Sequence, residues 1–425
     1  MESNILEFTN LVESLSIRSY LQELSSEPHL AASPRDRQLS SWIMQTWQGF
    51  GLDNVYSESY NFLLSYPNST KPNKVFLLDQ SGEVNFTSKH QEDVLRPEDQ
   101  HENFIHAFNA FAPSGDVTGE LVYVNYARVE DIERLRELGV SLEGKIAISR
   151  YGKIFRGNKL KHCQDAGAIG NDIKTDLKRR PLTLSCVSGV ILYSDPEEVA
   201  NTGTDPDLLY PNSFFLPPSG IQRGSVFLGD GDPLSPSWSS VEGAYRLSVN
   251  QTDLPSIPCQ PIGYGDAQRL LSILGGQEVP PDWRGAIPNL SYKLGPGFDE
   301  AHRGWSVRLV VNNYIEDRKS ENVIGIIRGS VEPDRFVIFG NHRDAWGYGG
   351  RSSLSLLTTL LLLLAVDPSS GTAIMMEVGR VLGERLRSGW RPRRSIVLGS
   401  WAAEEAGIMG SAEWVYHKVH KLMNR

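Results

Sequence analysis

The chain has 425 residues, 40% of them apolar and 22% charged, which leaves room for two or three ordinary globular domains. A formal net charge of −9 gives no basis for nucleic acid or an acidic membrane surface as a partner, while a local cationic pocket for an acidic ligand stays compatible with it. Three cysteines, Cys163, Cys186 and Cys259, cannot build a disulfide framework, and their spacing is not that of a metal site, so they read as buried or incidental thiols.

The N-terminus, Met1 to Glu7, has neither a basic stretch nor a long apolar one, and no signal peptide is evident. Residues 5 to 50 read as two helices. The second opens at Ser33-Pro34-Arg35-Asp36, with serine as the N-cap and proline in the first turn, and repeats Leu39, Ile43 and Trp47 at helical spacing. Gly51-Leu52-Asp53 ends it, and Tyr60 to Tyr66 follows as a strand. A turn-rich region then runs to about residue 316 and holds short strands such as Glu120 to Val124, Lys145 to Ser149 and Val190 to Tyr193, which predicts a β-rich inserted domain over 65–316.

From about 320 the texture changes to strand (Asn322 to Ile327), strand (Arg335 to Phe339), helix (Asp367 to Arg387) and strand (Arg394 to Gly399). That alternation predicts an α/β domain with a mostly parallel sheet. Two segments clash with their surroundings: 171–189, which interrupts a helix-to-strand passage, and 350–364, which is rich in leucine, serine and threonine. Both are expected to be splice-derived inserts. The longest apolar run, Leu354 to Val366, falls short of the ~20 residues needed to span a bilayer. Asn68, Asn85, Asn250 and Asn289 each open a glycosylation tripeptide.

The chemistry is concentrated in two signatures. Asn341-His342-Arg343-Asp344-Ala345-Trp346 follows one apolar strand, and Ser400-Trp401-Ala402-Ala403-Glu404-Glu405 follows another. Histidine, aspartate and glutamate side chains just past buried strands are what a carboxylate-rich zinc site needs. His417 and His420, three residues apart near the C-terminus, read as exposed helix residues.

With these signatures, Arg150-Tyr151-Gly152-Lys153-Ile154-Phe155-Arg156-Gly157-Asn158, Leu192-Tyr193-Ser194-Asp195-Pro196, Val331-Glu332-Pro333-Asp334-Arg335 and Trp390-Arg391-Pro392-Arg393-Arg394 make nearly the whole chain resemble the N-terminal part of the glutamate carboxypeptidase II family, the N-acetylated α-linked acidic dipeptidases. The resemblance implies a co-catalytic zinc peptidase domain (residues 1–64 and 317–425, its sheet incomplete), an inserted protease-associated or apical domain over 65–316, and a C-terminal truncation that omits the family's helical dimerisation domain. It implies removal of a C-terminal acidic residue from small peptides, impaired in this form. The alternatives are a non-catalytic receptor-like ectodomain and an aminopeptidase of the same zinc clan. The family forms homodimers and is anchored in the membrane with its catalytic domain outside, whereas this chain shows no anchor.

Residue by residue, the resemblance assigns His342, Asp367 and Glu405 as ligands of two zinc ions, with Asp367 bridging them. Glu404 becomes the general base, and the Asp344 carboxylate becomes the group that fixes the His342 tautomer. Phe155 and Arg156 match residues that reach the substrate pocket, where Arg156 would grip a terminal carboxylate. Ser225 stands where the family often has an asparagine that contacts substrate. Glu413, Ser235 and Trp238 match a calcium site in which Tyr416 replaces a second glutamate.

Overall fold

A computed structural model describes residues 2–166, 187–347 and 359–423. Cys186 and residues 171–186 and 350–358 of the two expected inserts therefore lie outside the described residues. Cys163 and Cys259 are buried free thiols.

The N-terminal region holds three helices where two were expected: Glu2–Thr9, α1 (Ser14–Ser25) and α2 (Pro34–Phe50). The break before α1 is fixed from far away, because the Glu13 N–H donates to the buried Glu377 carboxylate at 2.7 Å. The start of α2 is set locally. Ser33 Oγ accepts from the Asp36 N–H at 3.1 Å, and Gly51 closes the helix at φ +84°, a left-handed position that glycine adopts without strain.

Four strands form the sheet that carries the two signatures: β1 (Asn54–Tyr66), β2 (Tyr314–Ile327), β3 (Glu332–His342) and β4 (Arg394–Trp401), in the order β1-β2-β4-β3. The expectation of a mostly parallel sheet does not hold for these strands. β1 with β2 and β2 with β4 are antiparallel, and β3 with β4 is the parallel pair. The parallel pair is joined by α3 (Thr359–Arg387), as a crossover requires. The helix starts at Thr359, before the expected start at Asp367; Asp367 itself breaks it with extended angles (φ −90°, ψ 108°), and regular turns resume at Pro368. Apolar residues from α2, β2, α3 and β4, among them Ile43, Trp47, Val323, Met375 and Leu398, form one core.

The middle region leaves and rejoins this sheet at one place, because Tyr66 pairs with Tyr314. It is less purely β than expected. Its strands Cys259–Ile262, Val187–Tyr193, Lys145–Arg150 and Leu121–Tyr123 form a wholly parallel sheet in that order, with helices Val129–Glu137, Arg156–Asp165 and Tyr264–Leu271 between or after them. A second, antiparallel sheet joins Val84–Thr87, Lys74–Leu78, Ser306–Val311 and Gly115–Gly119. One hydrophobic core runs through both sheets, from Val75 to Val311.

That core also buries Lys159, whose Nζ donates to the carbonyls of Tyr126 (2.8 Å) and Gly152 (2.7 Å). Burial lowers its pKa to about 7, against the pull of Asp131 and Cys163. The unfolded chain holds this proton up to about pH 10.5, so between pH 7 and 10.5 the unfolded state binds more protons and stability rises with pH. Urea unfolding at pH 7 and pH 9.5 is expected to show the rise, worth at most about 5 kcal/mol over the full window. Lys159→Met should flatten it, and an identical pH slope in that variant would remove Lys159 as the cause.

Candidate active site

β3 and β4 run in the same direction, and their register sets His342 opposite Trp401. Their C-terminal ends therefore release the two signatures side by side, where α/β sheets hold their ligands. Beyond β4 the chain passes through Ala403 in a left-handed conformation (φ +54°) into the short helix α4 (Glu404–Gly407), which turns both glutamates back toward β3.

His342 Nε2 lies 2.9 Å from Asp367 Oδ1 and 3.6 Å from Glu404 Oε2. The histidine side chain is mostly buried, while Asp367 is 77% exposed. Asn341 and Thr372 fix this approach. Asn341 Nδ2 donates to the carbonyls of His342 (3.1 Å) and Pro368 (3.0 Å) and to Thr372 Oγ1 (2.8 Å), and Thr372 Oγ1 donates to His342 O at 2.7 Å. The strand end is thus bound to the start of the helix.

Asp344 does something other than expected. Its carboxylate lies 3.9 Å from His342 Nδ1, beyond hydrogen-bond range. The hydrogen-bond partner of Nδ1 is the Asp344 backbone carbonyl, at 3.1 Å. The carboxylate instead accepts the N–H groups of Glu404 (3.0 Å) and Glu405 (3.2 Å). It caps the start of α4 from another loop and so positions both glutamates. A backbone carbonyl serves the tautomer as well as a carboxylate would.

Arg343, between the two site residues, is buried and points away from them. Its Nε donates to Asp36 Oδ1 at 2.7 Å, Nη1 to Ser400 Oγ at 3.2 Å and Nη2 to Glu321 O at 3.0 Å. Neither side chain of the Arg343–Asp36 pair is exposed.

The electrostatics reflect crowding. Burial alone would lower the pKa of His342, but the Asp367 hydrogen bond and the charges of Asp344, Glu404 and Glu405 bring it up to about 9. Burial pushes Asp344 up to about 6. Glu405 is pushed well above the carboxylate range by burial and by Asp344, with Asp367 and Glu404 adding to the effect. The His342 hydrogen bond holds Asp367 low, with help from the nearby Arg156. One imidazole facing several carboxylates is a donor set suited to a divalent cation, which would relieve the repulsion. Among the described residues, no group of three or more histidine, cysteine, aspartate or glutamate side chains is drawn together closely enough to hold a metal ion. His342 and Asp367 are in direct hydrogen-bond contact, whereas coordination would place the ion between them.

The expected substrate residues divide. Arg156 lies over Gly224, where a Cβ would collide with the guanidinium. It donates from Nη1 to Ser225 O at 3.3 Å, and its buried Nε has no partner among the described residues. Phe155 is exposed, with its ring centre 5.2 Å from the guanidinium carbon. Ser225 departs from expectation. It is buried, its hydroxyl donates to Ala406 O at 2.9 Å and accepts from Phe227 N–H at 3.1 Å. It ties the middle region to α4 and presents no free hydroxyl to a substrate.

At the expected calcium site, Glu413 accepts backbone N–H groups from Asp232 (2.7 Å) and Ser240 (2.5 Å). Ser235 donates to Asp232 at 2.9 Å, and Arg246 pairs with Asp232 at 3.1 Å. Glu413 and Ser235 thus meet through Asp232, while the Trp238 ring is exposed and stacks on His420 at 4.4 Å. Tyr416 donates to Asp230 at 3.2 Å. His417 and His420 are only partly exposed, contrary to expectation, because His417 packs against Tyr60 and His420 against Trp238.

The model of Peptidase family M28 matches residues 322–424. Over 416 residues the chain is 41% identical to mouse "Aminopeptidase NAALADL1", covering 96% of this chain and 51% of that protein. It is 37% identical to the "Glutamate carboxypeptidase 2 homolog" of Caenorhabditis briggsae, covering 97% of this chain and 50% of that protein. The chain therefore spans about half the length of these curated relatives. Its fold resembles that of the Peptidase M28 precursor from Shewanella amazonensis, with a TM-score of 0.54 and 16% identity, covering 99% of this chain and 71% of that one. The matched segment begins in β2 and contains both signatures.

Proposed function

We propose that this chain supplies the His342, Asp367, Glu404 and Glu405 part of a zinc-dependent exopeptidase centre. The carrying observation is the approach of Asp367 (2.9 Å) and Glu404 (3.6 Å) to His342 Nε2 beyond the ends of two parallel strands. Zinc, two ions in the full centre, would be held by His342, Asp367 and Glu405 and would supply Lewis acidity, lowering the pKa of water and polarising the scissile carbonyl. Glu404 takes the proton from the attacking water and delivers it to the departing amine nitrogen. Asp344 holds both glutamate backbones for this work. A separate calcium site at Glu413 has weaker support, because backbone N–H groups already serve that carboxylate.

For the substrate we favour a peptide with a C-terminal acidic residue. Arg156 adds to the effect that holds the Asp367 pKa low, and a guanidinium whose charge reaches the centre suits the carboxylate of such a substrate. The second reading, an aminopeptidase, is favoured by the name of the mouse relative. An N-acetylated dipeptide ending in glutamate, compared with the same dipeptide bearing a free amino terminus, separates them. Preference for the blocked peptide supports the first reading, and cleavage of the free-amine peptide alone supports the second. Arg156→Ala is expected to raise KM for the blocked peptide about 10- to 100-fold, the worth of a charge-assisted hydrogen bond, and to leave a C-terminally amidated analogue unaffected. An equal loss on both peptides would sink the carboxylate role.

A further inference from the structure

A cavity of about 720 Å³ lies in the middle region, within the roughly 300–1,000 Å³ of small-molecule sites. Two stretches build most of it, 91–105 and 210–223, and Trp346, four residues beyond His342, adds to the wall. His342, Asp367, Glu404, Glu405 and Arg156 take no part in the lining, so the cavity is separate from the proposed zinc centre.

Polar bonds tie its walls together. Arg223, 6% exposed, donates from Nη1 and Nη2 to the two carboxylate oxygens of Glu92 at 2.6 and 3.0 Å, and from Nη2 to Ile105 O at 2.6 Å. Tyr210 donates to Asp99 at 2.5 Å, and Ser219 Oγ accepts the Asp93 N–H at 3.2 Å. Protein interiors leave few voids larger than a water molecule. A hollow of this size between walls bonded to each other is a built feature of the fold.

The lining selects by chemistry. Phe104, Tyr210, Phe214 and Trp346 supply aromatic surface, and Leu216 and Ile221 supply aliphatic surface. Four carboxylates also line the cavity, Glu92, Asp93, Asp99 and Glu102. Among the described lining residues one side chain, Arg223, carries a fixed positive charge, and Glu92 holds both of its terminal nitrogens. Glu102 is exposed and enters no described ion pair. A cation is attracted by carboxylates and by ring faces alike. An anion would meet like charge with no guanidinium left to receive it.

We propose that this cavity is a second ligand site, for a small organic cation with an apolar or aromatic body. Glu102 receives the ammonium group, and Phe104, Phe214 and Trp346 receive the body. The proposal stands on the cavity and its charge balance and does not rest on the peptidase reading.

Saturation-transfer NMR and calorimetry on the 425-residue chain test it with three probes of similar size: phenylbutylamine, neutral phenylbutanol and anionic phenylbutanoate. The amine should bind saturably, at least about 10-fold tighter than the alcohol, as one charge-assisted bond allows, and the anion should bind most weakly. Glu102→Gln should reduce the amine to the affinity of the alcohol. Phe214→Ala should weaken amine and alcohol together. Both positions are exposed, so the unfolding midpoint should hold in each variant. An N-acetylated dipeptide ending in glutamate should not displace the amine. Absence of saturable amine binding overturns the site, as does amine binding that both variants leave intact. Displacement by the dipeptide overturns it too, by placing the amine at the His342 centre. Equal or tighter binding of the alcohol overturns the cation assignment and makes the cavity a pocket for uncharged molecules. A chain that hydrolyses no peptide should still give the full set of titrations, so failure of the peptidase reading and failure of this site are told apart.

Discussion

Glu404→Gln is expected to lower kcat for peptide hydrolysis by about 10²- to 10⁴-fold, the range lost with a positioned general base, in any preparation of the chain that turns over an acidic dipeptide. The geometry explains the size of the effect. Glu404 Oε2 is 3.6 Å from His342 Nε2, too far for a hydrogen bond and near enough to face a water held at the same centre. The Asp344 carboxylate grips the backbone of the residue, so glutamine can occupy the position without moving the turn. Zinc content, read by elemental analysis, and the unfolding midpoint should both stay unchanged. A rise in KM with kcat preserved would show that Glu404 binds ground state and transition state alike, and the base assignment would fall.

Asp36→Ala is expected to destabilise the fold by about 3–5 kcal/mol, the loss that follows when one member of a buried ion pair is left alone. Asp36 serves several partners. It accepts from Arg343 Nε at 2.7 Å, from the Ala32 N–H at 2.9 Å and from Ser320 Oγ at 3.2 Å. Removing it strands a fully buried guanidinium one residue from His342. The double variant Asp36→Ala with Arg343→Met removes both charges and should recover part of the loss, as a double-mutant cycle in urea would reveal. A single-variant loss under about 1 kcal/mol would mean that the pair is neither as dry nor as unaided as its burial indicates.

Much of the site was legible because its chemistry is written in adjacent residues. His342, Glu404 and Glu405 each follow an apolar strand, and Asp367 directly precedes the proline that opens the periodic apolar stretch of a helix. What could not be read lay in contacts between distant residues. Nothing local to Asp344 announces that its carboxylate faces amides about 60 positions away. The spacing of two from His342 suggested a contact with the ring, which the backbone carbonyl makes instead. The bonds from Asn341 and Thr372 and the Arg343–Asp36 pair were missed for the same reason, although an arginine between two site residues is a signal in itself. Strand direction was misjudged because alternation of strand and helix predicts parallel neighbours, while β1 reaches β2 across the whole middle region. The parallel sheet within that region passed for scattered β-structure because its crossover helices are short.

The pairing of Tyr66 with Tyr314 also bears on how such a molecule can change over time. Some 250 residues enter and leave the chemical scaffold through a single gate, so they could be lengthened, trimmed or exchanged without shifting the register of any strand beneath the centre. Yet Arg156 and Ser225, the residues that touch Asp367 electrostatically and Ala406 by hydrogen bond, ride on that excursion. The region that carries Arg156 and Ser225 is thereby joined to the proposed centre by side-chain contacts and a shared apolar core, while the strand register under that centre is set elsewhere.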